Sequence, residues 1–178
     1  MLLDAGANAE VEAEWLTQFA IMGSVYSRVR FGIDKPRVGL LSIGEEPGKG
    51  DTLRKEAFVL LSECSEINFI GNVEGRDITT DAVDVVVTDG FTGNVILKQA
   101  EALYTLIRKR GIKDEYFERF NYEIYGGTPI LGINEPVVIG HGISKAVAFC
   151  NMIKMSEKIV SAKLIEIFKD TFKEQISA

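Results

Sequence analysis

The chain has 178 residues, 46% of them hydrophobic and 26% charged, with a formal net charge of −6. That length and composition support one well-buried folded domain. The acidic balance excludes nucleic acid as the main partner, because phosphate backbones attract basic surfaces.

No apolar run is long enough to span a bilayer, and the N-terminus lacks a signal peptide's basic start. Cys64 and Cys150 lie far apart inside helical patterns, so neither a disulfide nor a zinc site is expected. The expected location is a reducing cytoplasm.

In chain order, Leu2 to Asn8 reads as the end of a strand and the loop after it, with an upstream segment expected to precede it. Helical period through Val11, Trp15, Phe19, Met22, Tyr26 and Val29 predicts a helix with one apolar stripe, capped by Asn8 and closed by Gly32 and Pro36. Val38 to Ile43 predicts a strand, followed by a glycine-rich loop from Gly44 to Gly50. Asp51 or Thr52 caps a second helix with the apolar face Leu53, Ala57, Leu60, Leu61 and Cys64. Ile67, Phe69 and Ile70 predict a short strand ending in the turn Gly71 to Asp77. The run Val83, Val85, Val86, Val87 predicts a strand buried on both faces.

Asp89-Gly90-Phe91-Thr92-Gly93-Asn94-Val95-Ile96-Leu97-Lys98 then leads into a helix. Lys98 reads as lying close to that helix's positive end, where a cation is unfavourable unless an anion sits nearby. Gly90 and Gly93 would bring backbone N–H groups up to such a ligand. Residues 108 to 119 are charged and lose clear order. Arg108 to Arg110 read as a solvated helix end, or alternatively as a contact for an acidic partner or an anionic membrane surface. Pro136 to Ile139 is a last strand, followed by His141-Gly142. A long final helix would carry Phe149, Ile153, Val160, Leu164, Ile167 and Phe168 on one side.

The repeated order of strand, glycine turn and helix predicts a three-layer α/β/α fold with an open, mostly parallel sheet. Residues 1–178 are expected to form one domain with a helical excursion around 99–124. Right-handed crossovers place each turn at the carboxyl edge of the sheet, where ligands of such folds bind. Asp4, Asn8, Lys49, Asn72, Asp89, Asn94, Lys98 and His141 would thereby share one cleft.

Gly48-Lys49 fails as a P-loop, since Gly50 replaces the metal-binding Ser or Thr, and no GxGxxG occurs. No metal or organic cofactor is implied. Structural alternatives stand beside these readings: Asp89 as a turn cap, Asn94 as a backbone partner, Glu74 and Arg76 as a surface pair, His141 as a structural imidazole.

Taken together, several motifs resemble the PlsX family of bacterial phosphate acyltransferases. They are Leu3 to Asn8, Gln18 to Ser24, Pro36 to Leu41, Gly71 to Asp77, Asp89 to Val95 with Lys98, Tyr125-Gly126-Gly127 and His141-Gly142. The resemblance covers the carboxyl-terminal part of a typical member. It implies transfer of a fatty acyl group from acyl carrier protein to inorganic phosphate, giving an acyl phosphate for phospholipid synthesis. It also implies a fold like that of phosphotransacetylases and isocitrate/isopropylmalate dehydrogenases, a homodimer, and a cytoplasmic enzyme with peripheral membrane contact through the 99–124 region. Ser42, Glu45, Ile143 and Lys145 depart from the family pattern, and the segment between Lys98 and Tyr125 is shorter than usual.

On that resemblance Lys98, Asn94 and Gly93 are expected at the phosphate or the tetrahedral oxyanion, with Lys49 and Asn72 completing the cradle. Asp4 and Asp89 would orient them, and His141 would protonate the departing thiolate. Asn8, Gly44, Glu74 and Ser144 complete the expected substrate-binding set. Arg28, Arg30, Lys35 and Arg37, or Arg108 to Lys113, would receive the acidic carrier protein. Two other readings stay open: a phosphotransacetylase-like acyl-CoA:phosphate transferase, and a catalytically incomplete binding or dimerisation fragment.

Overall fold

The computed structural model describes residues 1–176. Ser177 and Ala178, the end of the expected 1–178 domain, lie outside the described residues. Two units, Met1–Leu97 and a second beginning at Lys98, each hold together internally.

In the first unit, β1 (Leu2–Leu3) leads through a loop to α1 (Ala13–Phe31), then β2 (Arg37–Leu41), α2 (Thr52–Glu63) and β3 (Asn68–Val73). A 3₁₀ turn (Gly75–Thr79), β4 (Val85–Val87) and the start of α3 (Gly90–Lys109) come next. The strands form one parallel sheet in the order β1-β4-β2-β3. This is the α/β/α layering that the sequence pattern predicts. Val85, Val86 and Val87 are all buried. On one face Gly23 lets α1 approach Val85, where a Cβ would lie 2.5 Å from the valine Cγ1. On the other face Leu41, Val73, Val83 and Val86 cluster with Leu2, Ile78 and Ile96. Alternation along each strand therefore supplies both layers.

Several expectations shift. α1 is buried almost all round from Phe19 to Ser27 rather than along a stripe, because it lies centrally against the sheet, while Trp15 is exposed. Its N-cap is Glu12, not Asn8, whose side chain is turned to Asp4 instead. Gly32 closes it in the left-handed conformation, its N–H donating to the Arg28 carbonyl. Asp51 caps α2, its carboxylate accepting from the Arg54 N–H at 2.9 Å. β3 runs on through Asn72, which is therefore a strand residue. An extra residue on β3, Ile70, interrupts the register between Phe69 and Gly71 and re-aims the last residues of the strand.

In the second unit α3 continues to Lys109, succeeded by α4 (Glu115–Glu118), α5 (Tyr122–Tyr125), β5 (Gly127–Ile130), β6 (Val137–Gly140), α6 (Ala146–Ser161) and α7 (Leu164–Ile176). β5 and β6 pair antiparallel in a sheet of their own. His141 thus lies just after a strand outside the parallel sheet, and the carboxyl-edge argument does not reach it. The single final helix is two, broken where Lys163 takes φ 52°. Their inward face is Ala148, Met155, Ile159, Leu164 and Phe168, whereas Phe149, Ile153 and Val160 are exposed. Among the described residues no helix is long and apolar enough to cross a membrane.

Candidate functional site

The first unit gathers its polar turns at the carboxyl edge of the parallel sheet. Asp4, which is buried, accepts backbone N–H groups from Gly6 at 2.9 Å, Ala7 at 3.0 Å and Asn8 at 2.6 Å, plus the Asn8 side-chain amide at 3.0 Å. Its carboxylate thus occupies the nest of donors that its own loop creates. That loop lies on the start of α3. The Gly90 N–H donates to the Asn8 carbonyl at 2.8 Å, and Asn94 reaches the Ala5 carbonyl at 3.3 Å. A Cβ on Gly93 would overlap the Asp4 carbonyl oxygen, and one on Gly90 would come within 2.5 Å of the Asn8 oxygen. Both glycines therefore serve helix-to-loop contact, and the Gly90 and Thr92 N–H groups are already engaged.

Asp89 acts as the α3 cap. Its carboxylate accepts the Thr92 N–H and hydroxyl, both at 2.8 Å, and meets the Arg54 guanidinium. Burial alone would raise this carboxyl. The Thr92 bonds and Arg54 outweigh it and hold the group below its ordinary range. Arg54 also reaches Asp51 at 3.0 Å and the hydroxyls of Thr88 and Thr92 at 3.3 Å. Sequence reading missed this residue. Its one signal was the Asp51-to-Arg54 spacing, which places both at the first turn of α2.

Beside them the loop from Gly44 to Gly50 meets the end of β3. The Asn72 amide nitrogen donates to the Glu46 carbonyl at 2.9 Å, which leaves its buried oxygen without a partner. That atom accepts hydrogen bonds and so suits a donor rather than a bare phosphate oxygen. Ser42 Oγ is likewise buried and unpartnered. Arg76 ties the rim together, 2.9 Å from Glu45 and 3.0 Å from Glu74. Gly44 permits close passage of the Lys49 side chain, whose Cγ would lie 2.9 Å from an added Cβ, and Lys49 is exposed. Asp4, Asn8, Gly44, Lys49, Asn72, Glu74, Asp89, Gly93 and Asn94 all belong to this connected edge.

Lys98, His141 and Ser144 belong to the second unit. Lys98 sits more than two turns into α3, about 12 Å along its axis, beyond the reach of the helix's positive end. It pairs instead with Glu101 at 2.9 Å. The same carboxylate lies 3.8 Å from His141 Nε2, and the Tyr122 ring stacks on the imidazole at 5.0 Å. The Ser144 N–H donates to the His141 carbonyl at 2.9 Å, and both His141 Nδ1 and Ser144 Oγ are buried without partners. Glu101 was also missed, although its spacing of three from Lys98 is a helical pairing signal.

Strand-end turns, a glycine-spaced helix start and buried unpartnered polar atoms mark the sheet edge of this α/β protein as its candidate small-ligand site. A family model described as "Fatty acid synthesis protein" matches residues 1–118, and the chain belongs to that family. Proteins named phosphate acyltransferase are similar over most of it. The one from Halothermothrix orenii is 44% identical, covering 95% of this chain and 57% of the relative. That from Bacillus subtilis is 40% identical, covering 98% and 58%, and that from Streptococcus thermophilus 44%, covering 99% and 59%. The chain spans little more than half the length of these curated relatives.

Proposed function

We propose that the chain is the carboxyl-terminal catalytic portion of a phosphate acyltransferase, with both units in one domain of that enzyme. It transfers a fatty acyl group from acyl carrier protein to inorganic phosphate, releasing an acyl phosphate for phospholipid synthesis. The carrying observation is the family membership joined to a connected polar rim at the carboxyl edge. A phosphate oxygen attacks the thioester carbonyl carbon, the tetrahedral oxyanion collapses, the C–S bond breaks, and the thiolate leaves and takes a proton.

Phosphate is already anionic at neutral pH and needs alignment and charge screening rather than a strong base. Within the first unit, Lys49 and Asn94 are assigned to phosphate or oxyanion, with Asp4, Asn8, Gly44, Glu74, Asp89 and Gly93 shaping the rim. Asn72 is assigned to a hydrogen-bond donor of the thioester substrate. Within the second unit, Lys98 supplies positive charge and His141, flanked by Ser144, supplies the proton. A homodimer with peripheral contact at the inner face of the membrane completes the reading.

The test is phosphate-dependent deacylation of palmitoyl-carrier protein, followed by intact mass, with acetyl-CoA as the alternative donor. Wild type is expected to release acyl phosphate from the carrier-linked donor. Lys98→Ala and Asn94→Ala are expected to lose that activity while melting within about 1 kcal/mol of wild type, since both side chains are exposed. Full activity in both variants removes their assignment, and preference for acetyl-CoA favours the phosphotransacetylase-like reading. The short span relative to the curated relatives favours a second reading, a binding or dimerisation fragment. Absence of turnover in a correctly folded wild-type chain would select it.

A further inference from the structure

Glu101 has no role in the proposed reaction, although two residues assigned to that reaction meet on one of its oxygens. Oε2 lies 2.9 Å from Lys98 Nζ and 3.8 Å from His141 Nε2. The Glu101 side chain is 27% exposed, against 53% for Lys98 and 33% for His141, so the carboxylate is the most shielded of the three. All three belong to the second unit.

The two donors come from separate elements. Lys98 stands three residues from Glu101 on α3, within one turn. His141 follows β6, and its ring stacks on Tyr122 at the start of α5 with the planes 29° apart. The His141 carbonyl accepts the Ser144 N–H at 2.9 Å and so closes the turn that leads to α6. A ring stack and a tight turn thus hold the imidazole in place without the carboxylate. His141 Nδ1 is buried without a partner, which leaves Nε2 as the nitrogen beside a charge.

As a helical surface pair, Lys98 and Glu101 add little to stability. As an anion, Glu101 matters more. A carboxylate oxygen and a phosphate oxygen are both anionic acceptors, and both take a lysine ammonium and an imidazole N–H as donors. Oε2 therefore occupies a point on which two such donors already converge. A second anion cannot share that point, because like charges about 4 Å apart repel enough to change affinity several-fold even in water.

We infer that Glu101 Oε2 marks the phosphate position of the second unit, and that inorganic phosphate binds by displacing this carboxylate from between Lys98 and His141. This rests on the phosphate acyltransferase reading, in which Lys98 supplies charge and His141 the proton. It adds where the anion goes and what sets its affinity. With Glu101 in place, the empty site keeps Lys98 paired and admits only an anion able to outcompete a fixed carboxylate. Rotation about the glutamate's own side-chain bonds moves the carboxylate aside without unwinding α3.

The experiment titrates inorganic phosphate into the full chain at constant ionic strength, followed by calorimetry and by NMR of the imidazole nitrogens. His141 is the chain's one histidine, so isotopic labelling of histidine reports on it without assignment. Glu101→Gln, nearly isosteric but uncharged, is expected to bind phosphate about three- to tenfold more tightly than wild type. Glu101→Ala, which suits a helix, is expected to do the same. Both variants should melt close to the wild-type temperature, since an exposed pair contributes little. In wild type and both variants, saturating phosphate is expected to move the His141 Nε2 signal. Removing a carboxylate with a merely structural role would not tighten phosphate binding.

Unchanged or weaker phosphate binding in both Glu101 variants overturns the inference. So does a His141 signal that ignores saturating phosphate in all three proteins, since the anion then lies elsewhere. Lys98→Ala tests the phosphate acyltransferase reading separately. Full phosphate affinity in that variant, or no phosphate binding by wild type, removes the Lys98 assignment and the inference with it.

Discussion

Asp89 shows how one carboxylate can carry a local structure. It caps α3 through Thr92 and neutralises Arg54, and both partners are largely buried. Asp89→Asn leaves Arg54 short of its counter-charge, and a loss of roughly 3 kcal/mol is expected in urea unfolding. The pH dependence carries a sign. A carboxyl held below its ordinary 3.8 adds stability that is present above that value and is lost as pH falls through the lower folded value. The variant's stability curve should therefore be flatter than wild type on the acid side of 3.8. Asp84, lowered chiefly by its Arg37 hydrogen bond, keeps its own acid-side contribution in both proteins. Equal slopes for the two would show that Asp89 is not held down by these contacts.

Among elements, the junction of the first loop with α3 is the tightest. Gly93→Ala drives a methyl into the Asp4 carbonyl and should destabilise by about 3 kcal/mol. Gly48→Ala, whose Cβ would meet nothing within 4 Å, should change stability by less than about 0.5 kcal/mol. Thermal melts of the two variants separate a packing glycine from a loop glycine, and similar melts would remove the packing argument. This junction also explains what the sequence could and could not disclose. The valine run, the Asp51 cap and the Gly32 stop are local patterns, and each appears where its residues predict. Asn72's place in β3 depends on an extra residue, Ile70, within the same strand, which no local pattern announces. Lys98's distance from the helix start depends on Gly90 already being helical, although glycine is a poor helix former. The Arg54–Asp89 pair joins residues 35 positions apart, and no periodicity encodes such a contact. The sequence puts Phe149, Ile153 and Val160 on one side of a helix with Leu164 and Phe168. Yet the first three are exposed and the last two buried, because an apolar stripe does not say what covers it.

At the scale of the whole molecule, charge frames the proposed encounter with an acidic carrier protein. A chain of net charge −6 must present a local basic surface to bind one. Arg37 is paired with Asp84 at 2.9 Å and Arg108 with Glu118 at 2.7 Å, so each candidate patch loses part of its free charge. Transfer from the carrier-linked donor should still fall several-fold between about 50 and 200 mM salt, as screening shortens the range of attraction. The phosphate-saturated rate with a short uncharged thioester should not. Indifference of the carrier reaction to salt would exclude both patches as docking surfaces.

Arg54 has a kinetic consequence besides its static one. Because a single guanidinium joins the first turn of α2 to that of α3, neither end can fray without releasing the other. Deuterium uptake by Arg54 and Thr92 amides should then obey one common opening rate in native conditions, and separate into two when Arg54 becomes lysine. A lone ammonium has no planar fork with which to clasp both helices at once.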